Sequence, residues 1–298
     1  MQDITVPAGT YVVAVSGGID SMVLLDVLAT RPELSLVVAH FDHGIRSDSA
    51  EDAAVVSAAA ARYGLSFESA QGHLGADASE ATARDARYAF LWRIRRQYVA
   101  DAIITAHHQD DLLETMVLNI VRGTGRKGLN SLASTPGMLR PLLHVRKADV
   151  RTYATAHPDI TWREDSTNAD EHYLRNYIRL QVLPKLPAQA RDALLMTAEW
   201  AKDANPRIDI LLEHEIDVHT TPEGLSRAWF MQQPYDVSCE VMAAWLRQHD
   251  IREFDRRTIG DLVIAAKTWP AGKQRDVNAE YWLEVAKTTL RLTPRSTS

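Results

Sequence analysis

A chain of 298 residues with 46% hydrophobic residues has enough apolar material for two globular cores, and its net charge of −6 excludes a uniformly basic nucleic-acid-coating protein. The single cysteine, Cys239, excludes an intramolecular disulfide, a cysteine cluster for zinc or iron–sulfur, and sulfur relay through two cysteines of one chain. No apolar run approaches the roughly 20 residues of a membrane span, and Met1-Gln2-Asp3 lacks the basic-then-apolar start of a secretory signal, so the expected location is cytoplasmic, away from membranes.

In chain order, Tyr11-Val12-Val13-Ala14-Val15 is a continuous apolar run, the pattern of a strand buried on both faces of a parallel sheet. Ser16-Gly17-Gly18-Ile19-Asp20-Ser21 follows directly and opens the stretch Met22 to Leu28, which reads as a helix. Two glycines permit a tight turn and close approach of a ligand to the main chain. The N–H groups of the turn and of the helix start then make an anion site. The turn carries no lysine, which sets it apart from the common phosphate-binding loop. Ser16, Gly17, Gly18, Ile19, Asp20 and Ser21 are therefore candidate nucleotide-binding residues.

Further strands are expected at Leu34–Ala39, Leu65–Glu68 and Ala102–Thr105, and helices near Asp20–Ala29, Ser49–Tyr63, Glu80–Val99 and Asp110–Arg122. This alternation predicts an α/β fold with a doubly wound, Rossmann-like parallel sheet, whose ligands sit at the carboxyl ends of the strands. Gly123 to Gly137 is a glycine-rich loop of the length that usually serves function. Residues 1–186 are read as the nucleotide-binding catalytic domain. Residues 187–298 are read as a smaller, mainly helical domain ending in a hairpin of Tyr281–Val285 and Thr289–Leu292.

The polar motifs all fall at the expected strand ends. His40-Phe41-Asp42-His43-Gly44-Ile45-Arg46 follows the second strand, a dense polar turn without the ligand spacing of a metal site. Glu80, Arg84, Arg87 and Tyr88 share one helix face, presenting arginines to phosphates or forming a salt-bridged surface. Thr105 to Thr115 runs from a strand end into a helix and concentrates His107, His108, Asp110, Asp111 and Glu114, with His107, Asp111 and Glu114 at spacings four and three, which predicts one shared helix face. Capping explains one of the aspartates; the rest suit a cationic substrate or Mg²⁺. Arg122-Gly123-Thr124-Gly125-Arg126-Lys127 suits a phosphate or RNA backbone. Between Arg84 and Arg151 basic residues outnumber acidic ones, Arg140, Arg146 and Lys147 included, so an acidic protein keeps a local basic face. Glu164, Asp165 and Asn168 precede Arg175 and Arg179, which are spaced to share a helix face.

In this order the motifs resemble the tRNA(Ile)-lysidine synthase family of PP-loop ATP pyrophosphatases, whose pattern is SGGxDS, HxxHG(L/I)R, AR..RY, TAHHxDDxxET, RGxGxxGL and ExxSNxDxxYxRNxIR. The match runs from Ser16 to Arg179, with departures at Thr167 and at Leu112-Leu113. The resemblance implies that ATP adenylates the C2 oxygen of the wobble cytidine in tRNA(Ile) with a CAU anticodon. L-lysine then displaces AMP to leave lysidine, which converts codon reading from AUG to AUA. It implies ATP binding by Ser16 to Ser21, His40 and Arg46, and Mg²⁺ carried on the ATP phosphates with Asp20 as a candidate ligand. It implies catalysis by His107, Asp111 and Glu114, lysine binding by Asp111, Glu114 and Arg175, and tRNA binding by Arg84, Arg87, Arg122, Arg126 and Lys127. A homodimer, with tRNA contacts or dimerisation in the C-terminal domain, is also implied. The alternatives are another PP-loop tRNA-modifying or adenylating enzyme and, from a different class, a non-catalytic adenine-nucleotide or tRNA-binding module.

Overall fold

The computed structural model describes residues 4–44, 49–72, 80–163, 174–252 and 254–295. The chain divides into two compact units, Met1–Leu118 with Asn130–Leu195, and Asn119–Leu129 with Met196–Ser298.

The first unit contains β1 (Gly9–Ala14), α1 (Ile19–Ala29), β2 (Leu34–Asp42), α2 (Ser49–Arg62), β3 (Ser66–Gln71), α3 (Glu80–Gln97), β4 (Ala102–Ile104), α4 (Gln109–Val121), β5 (Met138–Leu139), α5 (Lys147–Ala156) and α6 (Leu174–Tyr177). Its sheet has the order β3-β2-β1-β4-β5, and every pairing is parallel. Val13 sits opposite both Val38 and Ile104.

Strand side chains alternate between the faces, and both faces are apolar. Val13, Val38 and Ile104 point into a core shared with Leu24, Leu25 and Leu28 of α1, Val56 of α2 and Val150 of α5. Val12, Val37 and Ile103 point the other way, onto Phe90, Leu91 and Ile94 of α3. This two-sided burial is why the run Tyr11 to Val15 shows no polar alternation. A third cluster packs Leu113 and Leu118 of α4 on Ile178 and Leu183, which follow α6 through a π-helical turn, Ile178–Val182, and a 3₁₀ turn, Leu183–Lys185.

The second unit takes α7 (Ala188–Val218) from Met196 onward, followed by β6 (Thr220–Thr221), β7 (Gly224–Ser226), α8 (Arg227–Gln232), α9 (Tyr235–Gln248), α10 (Arg256–Thr268), β8 (Lys273–Asp276), β9 (Tyr281–Val285) and β10 (Thr289–Pro294). The expected hairpin is β9–β10, with Leu290 opposite Val285. It belongs to a five-stranded antiparallel sheet of order β6-β7-β10-β9-β8. The other three strands are two to four residues long and mostly exposed, too short to show a period-2 pattern. Helices and sheet share a core around Phe230, Met242, Trp245, Leu262 and Leu283. Among the described residues no helix is long and apolar enough to cross a membrane.

Candidate active site

In the order β3-β2-β1-β4-β5 the chain runs from β1 out through β2 and β3 and then crosses back to β4 on the other side of β1, so the strand order reverses between β1 and β4 and leaves a crevice at their carboxyl ends. The crevice is a cavity of about 410 Å³, a size that admits a nucleotide-sized ligand. Ser16, Gly18, Asp20 and Ser21 line it from the loop after β1; His40, Asp42 and His43 from the end of β2; and Thr105, His107 and Asp111 from the segment after β4. Asp52 and Arg87 complete it.

The loop after β1 is held by its own serines. The Ser21 hydroxyl donates to the Gly18 carbonyl at 2.9 Å, and the Ser16 N–H donates to Ser21 Oγ at 3.1 Å. Gly17 has φ +92°, which only glycine adopts without strain, and its carbonyl accepts the Arg163 N–H at 3.0 Å. Gly17 makes the turn and Ile19 packs on the core, so neither lines the cavity. Asp20 meets the Lys147 ammonium, with Nζ 2.6 Å from Oδ1.

His40 is 2% exposed and its Nδ1 lies 2.9 Å from the Val15 carbonyl. A carbonyl only accepts, so Nδ1 carries the proton. Nε2 is then a buried acceptor with no hydrogen-bond partner among the described residues. An orphaned acceptor on a cavity wall is a place for a ligand's N–H or O–H.

The helical reading of His107, Asp111 and Glu114 as one face needs correction. Helix α4 begins at Gln109, with the Leu112 N–H on the His108 carbonyl, so His107 lies in the connection before it. His107 still joins Asp111 on the cavity wall and pairs with Thr105 Oγ1 through Nδ1 at 2.8 Å. Burial pushes its pKa down to about 4, helped by Arg140, Arg87 and Arg84, while Asp111 opposes the shift. His43 is also lowered, by burial and then by Arg87. The His108 N–H donates to Asp111 Oδ2 at 2.9 Å, and its Nε2 is 3.7 Å from Asp20 Oδ1, so His108 stands between the two loops.

Glu114 does not reach the cavity. It is 1% exposed and accepts from Arg175 Nε on one oxygen and from Arg179 Nε on the other, at 2.6 Å. A buried carboxylate needs such partners, and the expected shared face of Arg175 and Arg179 supplies them.

The basic residues expected at RNA divide. Arg84 and Arg87 both lie over the Tyr88 ring, at 5.1 and 5.3 Å, with Arg84 exposed and Arg87 turned to the cavity. Arg122 is exposed and Lys127 is half-exposed, 2.9 Å from Asp209. Arg126 departs from the expectation of an open phosphate contact. Its side chain is 12% exposed and donates to Glu240 at 2.9 Å, to the Asn205 side chain at 2.9 Å and to Asp209. Its donors are thus committed within the second unit. Arg46, Glu164, Asp165, Asn168 and the Glu80 side chain lie outside the described residues.

The PP-loop domain family profile matches residues 2–186. The chain belongs to the PP-loop family. Curated relatives include the tRNA(Ile)-lysidine synthase of Thermus thermophilus, 38% identical over 73% of this chain and 43% of the relative. That of Ralstonia nicotianae is 30% identical over 93% of this chain and 65% of the relative. The chain therefore spans from under half to about two thirds of the length of these relatives. Among solved structures, the U34-tRNA thiolase NcsA from Methanococcus maripaludis superposes with a TM-score of 0.56 at 14% identity, covering 68% of this chain and 75% of that one, a likeness of fold.

Within this PP-loop site, reading the sequence missed Asp52, which pairs with Arg163 at 3.0 Å, and the side-chain role of Lys147. Both depend on partners remote in sequence. The lowered His107 value carries a pH signature. A histidine depressed from 6.5 to about 4 adds stability that is full above pH 6.5 and is lost as pH falls toward 4. NMR titration of the His107 ring should give a midpoint near 4, and His107→Gln should flatten the stability loss across that window. A midpoint near 6.5 contradicts the buried, arginine-flanked environment.

Proposed function

We propose that this chain carries the catalytic machinery of a tRNA(Ile)-lysidine synthase. It activates the wobble cytidine of tRNA(Ile) with a CAU anticodon with ATP and joins L-lysine to C2. The observation that carries the reading is the convergence of an ATP-type loop, a neutral histidine and a carboxylate on one cavity. The extended identity to the named synthases supports it.

The reaction has two displacements. The cytidine O2 attacks the α-phosphorus of ATP and pyrophosphate leaves. The lysine ε-amine then forms a bond to C2, loses a proton, and the C2–O2 bond breaks to release AMP. Main-chain N–H groups of the loop and of the first turn of α1 are suited to phosphate oxygens. His40 Nε2 is suited to accept from the nucleoside. Asp20 is the one carboxylate of the loop and faces the cavity. Mg²⁺ takes most of its ligands from phosphate and water, so a single carboxylate fits an ion entering on ATP. When bound, the ion offsets charge on the departing pyrophosphate.

Lysine enters as an ammonium and must lose a proton to act as a nucleophile. Asp111 lines the cavity and is suited to hold the cation. Asp111 and His107 share one wall of the cavity, and either is suited to take the proton. Glu114 acts by orienting Arg175 and Arg179, and Arg175 is suited to the lysine carboxylate. Arg84, Arg87, Arg122 and Lys127 are proposed to meet tRNA phosphates, with Arg126 holding its loop in place. The single-stranded anticodon lets the target base be splayed into the cavity. Dimerisation and a tRNA-contacting role for residues 187–298 belong to the same proposal.

Pyrophosphate release from ATP should require the CAU transcript and proceed without it at no more than a background rate. Release that ignores the RNA contradicts the assignment. Asp111→Asn should raise KM for lysine roughly tenfold or more while moving KM for ATP little; equal changes in both remove Asp111 from the lysine pocket. Arg122→Glu with Lys127→Glu should weaken tRNA binding and reduce the log–log salt slope by about 2. An unchanged slope places these residues away from the RNA.

A further inference from the structure

Building on the ATP-using reading above, we propose that Lys147 is the phosphate-binding lysine of this site, delivered by a separate helix to a loop that has no lysine, and that Asp110 is its positioning residue. Lys147 opens α5, and its Nζ contacts both oxygens of Asp20, at 2.6 Å for Oδ1. Asp20 lines the nucleotide cavity. The two side chains are 30% and 28% exposed, so the pair stands at the rim rather than sealed in the core.

A carboxylate beside the main-chain donors of an anion site opposes a polyanionic ligand, and Lys147 offsets the charge of Asp20 there. The phosphate chain of ATP offers an ammonium more negative charge than one carboxylate does. An ammonium is a compact charge with three donors on a flexible stem, so it can turn from Asp20 to a phosphate oxygen without moving the backbone. That exchange leaves Asp20 open to the cation that travels with ATP.

The position of Lys147 is built, not incidental. Asp110 Oδ2 accepts the Lys147 main-chain N–H at 2.9 Å, while Asp110 Oδ1 accepts from Arg191 at 3.2 Å. This fixes where α5 begins and therefore where the lysine side chain starts. The consecutive aspartates thus divide their work: Asp111 lines the cavity, and Asp110 faces away from it, onto α5. His108 Nε2 also lies 3.7 Å from Asp20 Oδ1.

Isothermal titration with Mg–ATP and, separately, with adenosine tests this on the full chain. Lys147→Met should weaken ATP binding roughly tenfold or more, the loss of one charge-assisted phosphate contact, with adenosine affinity unchanged. Lys147→Arg should retain ATP affinity within about threefold, because the positive charge is kept. Asp110→Ala should weaken ATP in the same direction and add nothing in the Lys147→Met background. Equal losses for ATP and adenosine, or no loss for ATP, overturn the phosphate assignment, and additive losses remove Asp110 from it. A wild type that binds ATP while Lys147→Met binds it equally well overturns only this inference. A wild type that binds neither ligand overturns the proposed function as well.

Discussion

At the centre of the parallel sheet, β1 is flanked by β2 on one side and β4 on the other, and the strand order reverses beside it, running outward through β2 and β3 and then back to β4 and β5. Loops at the carboxyl ends of β1 and β4 cannot cover each other, so the sheet is left with an open crevice there. Everything chemically notable in the first unit is placed by that crevice. The glycine turn after β1 supplies main-chain donors, the end of β2 supplies His40, and the segment after β4 supplies His107 and Asp111. Burial of β1 on both faces, with Val12 and Val13 fully enclosed, anchors the turn to a strand that has no freedom to shift.

Charge around this crevice is organised in layers. Asp111 and Asp20 face the cavity, linked by His108. Behind them, Asp110 ties the start of α5 to Arg191, and Glu114 ties Arg175 and Arg179 together. A carboxylate as buried as Glu114 is costly unless fully paired, and removing one arginine would leave an uncompensated charge. The motif that concentrates two histidines, two aspartates and a glutamate therefore serves two purposes. Some of its side chains line the cavity, and others hold the arginines and the start of α5 in position.

Much of this was legible in the sequence, for definite reasons. The run Tyr11 to Val15 and the turn after it are contiguous, so strand, glycine turn and helix start were visible together; α1, α2 and α4 begin within a residue of their expected starts. His107 and Asp111 were legible as neighbours because the strand-to-helix junction brings them to one wall. What stayed hidden depended on distance along the chain or on brevity. Lys147 meets Asp20 across 127 positions, and Arg126 meets Asp209 across 83. Local periodicity carries no trace of such pairs, so Arg126 read as an open RNA contact and Lys147 as one more surface charge. Strands β5 and β6, at two residues each, are paired by their neighbours and not by any pattern of their own.

The central claim is that this cavity joins lysine to a cytidine activated by ATP. Incorporation of radiolabelled lysine into a tRNA(Ile) transcript with a CAU anticodon, beside a transcript whose wobble base is uridine, addresses it most directly. The account predicts ATP-dependent labelling of the cytidine transcript alone. Labelling of both transcripts, or of neither by folded protein that binds ATP, would contradict it.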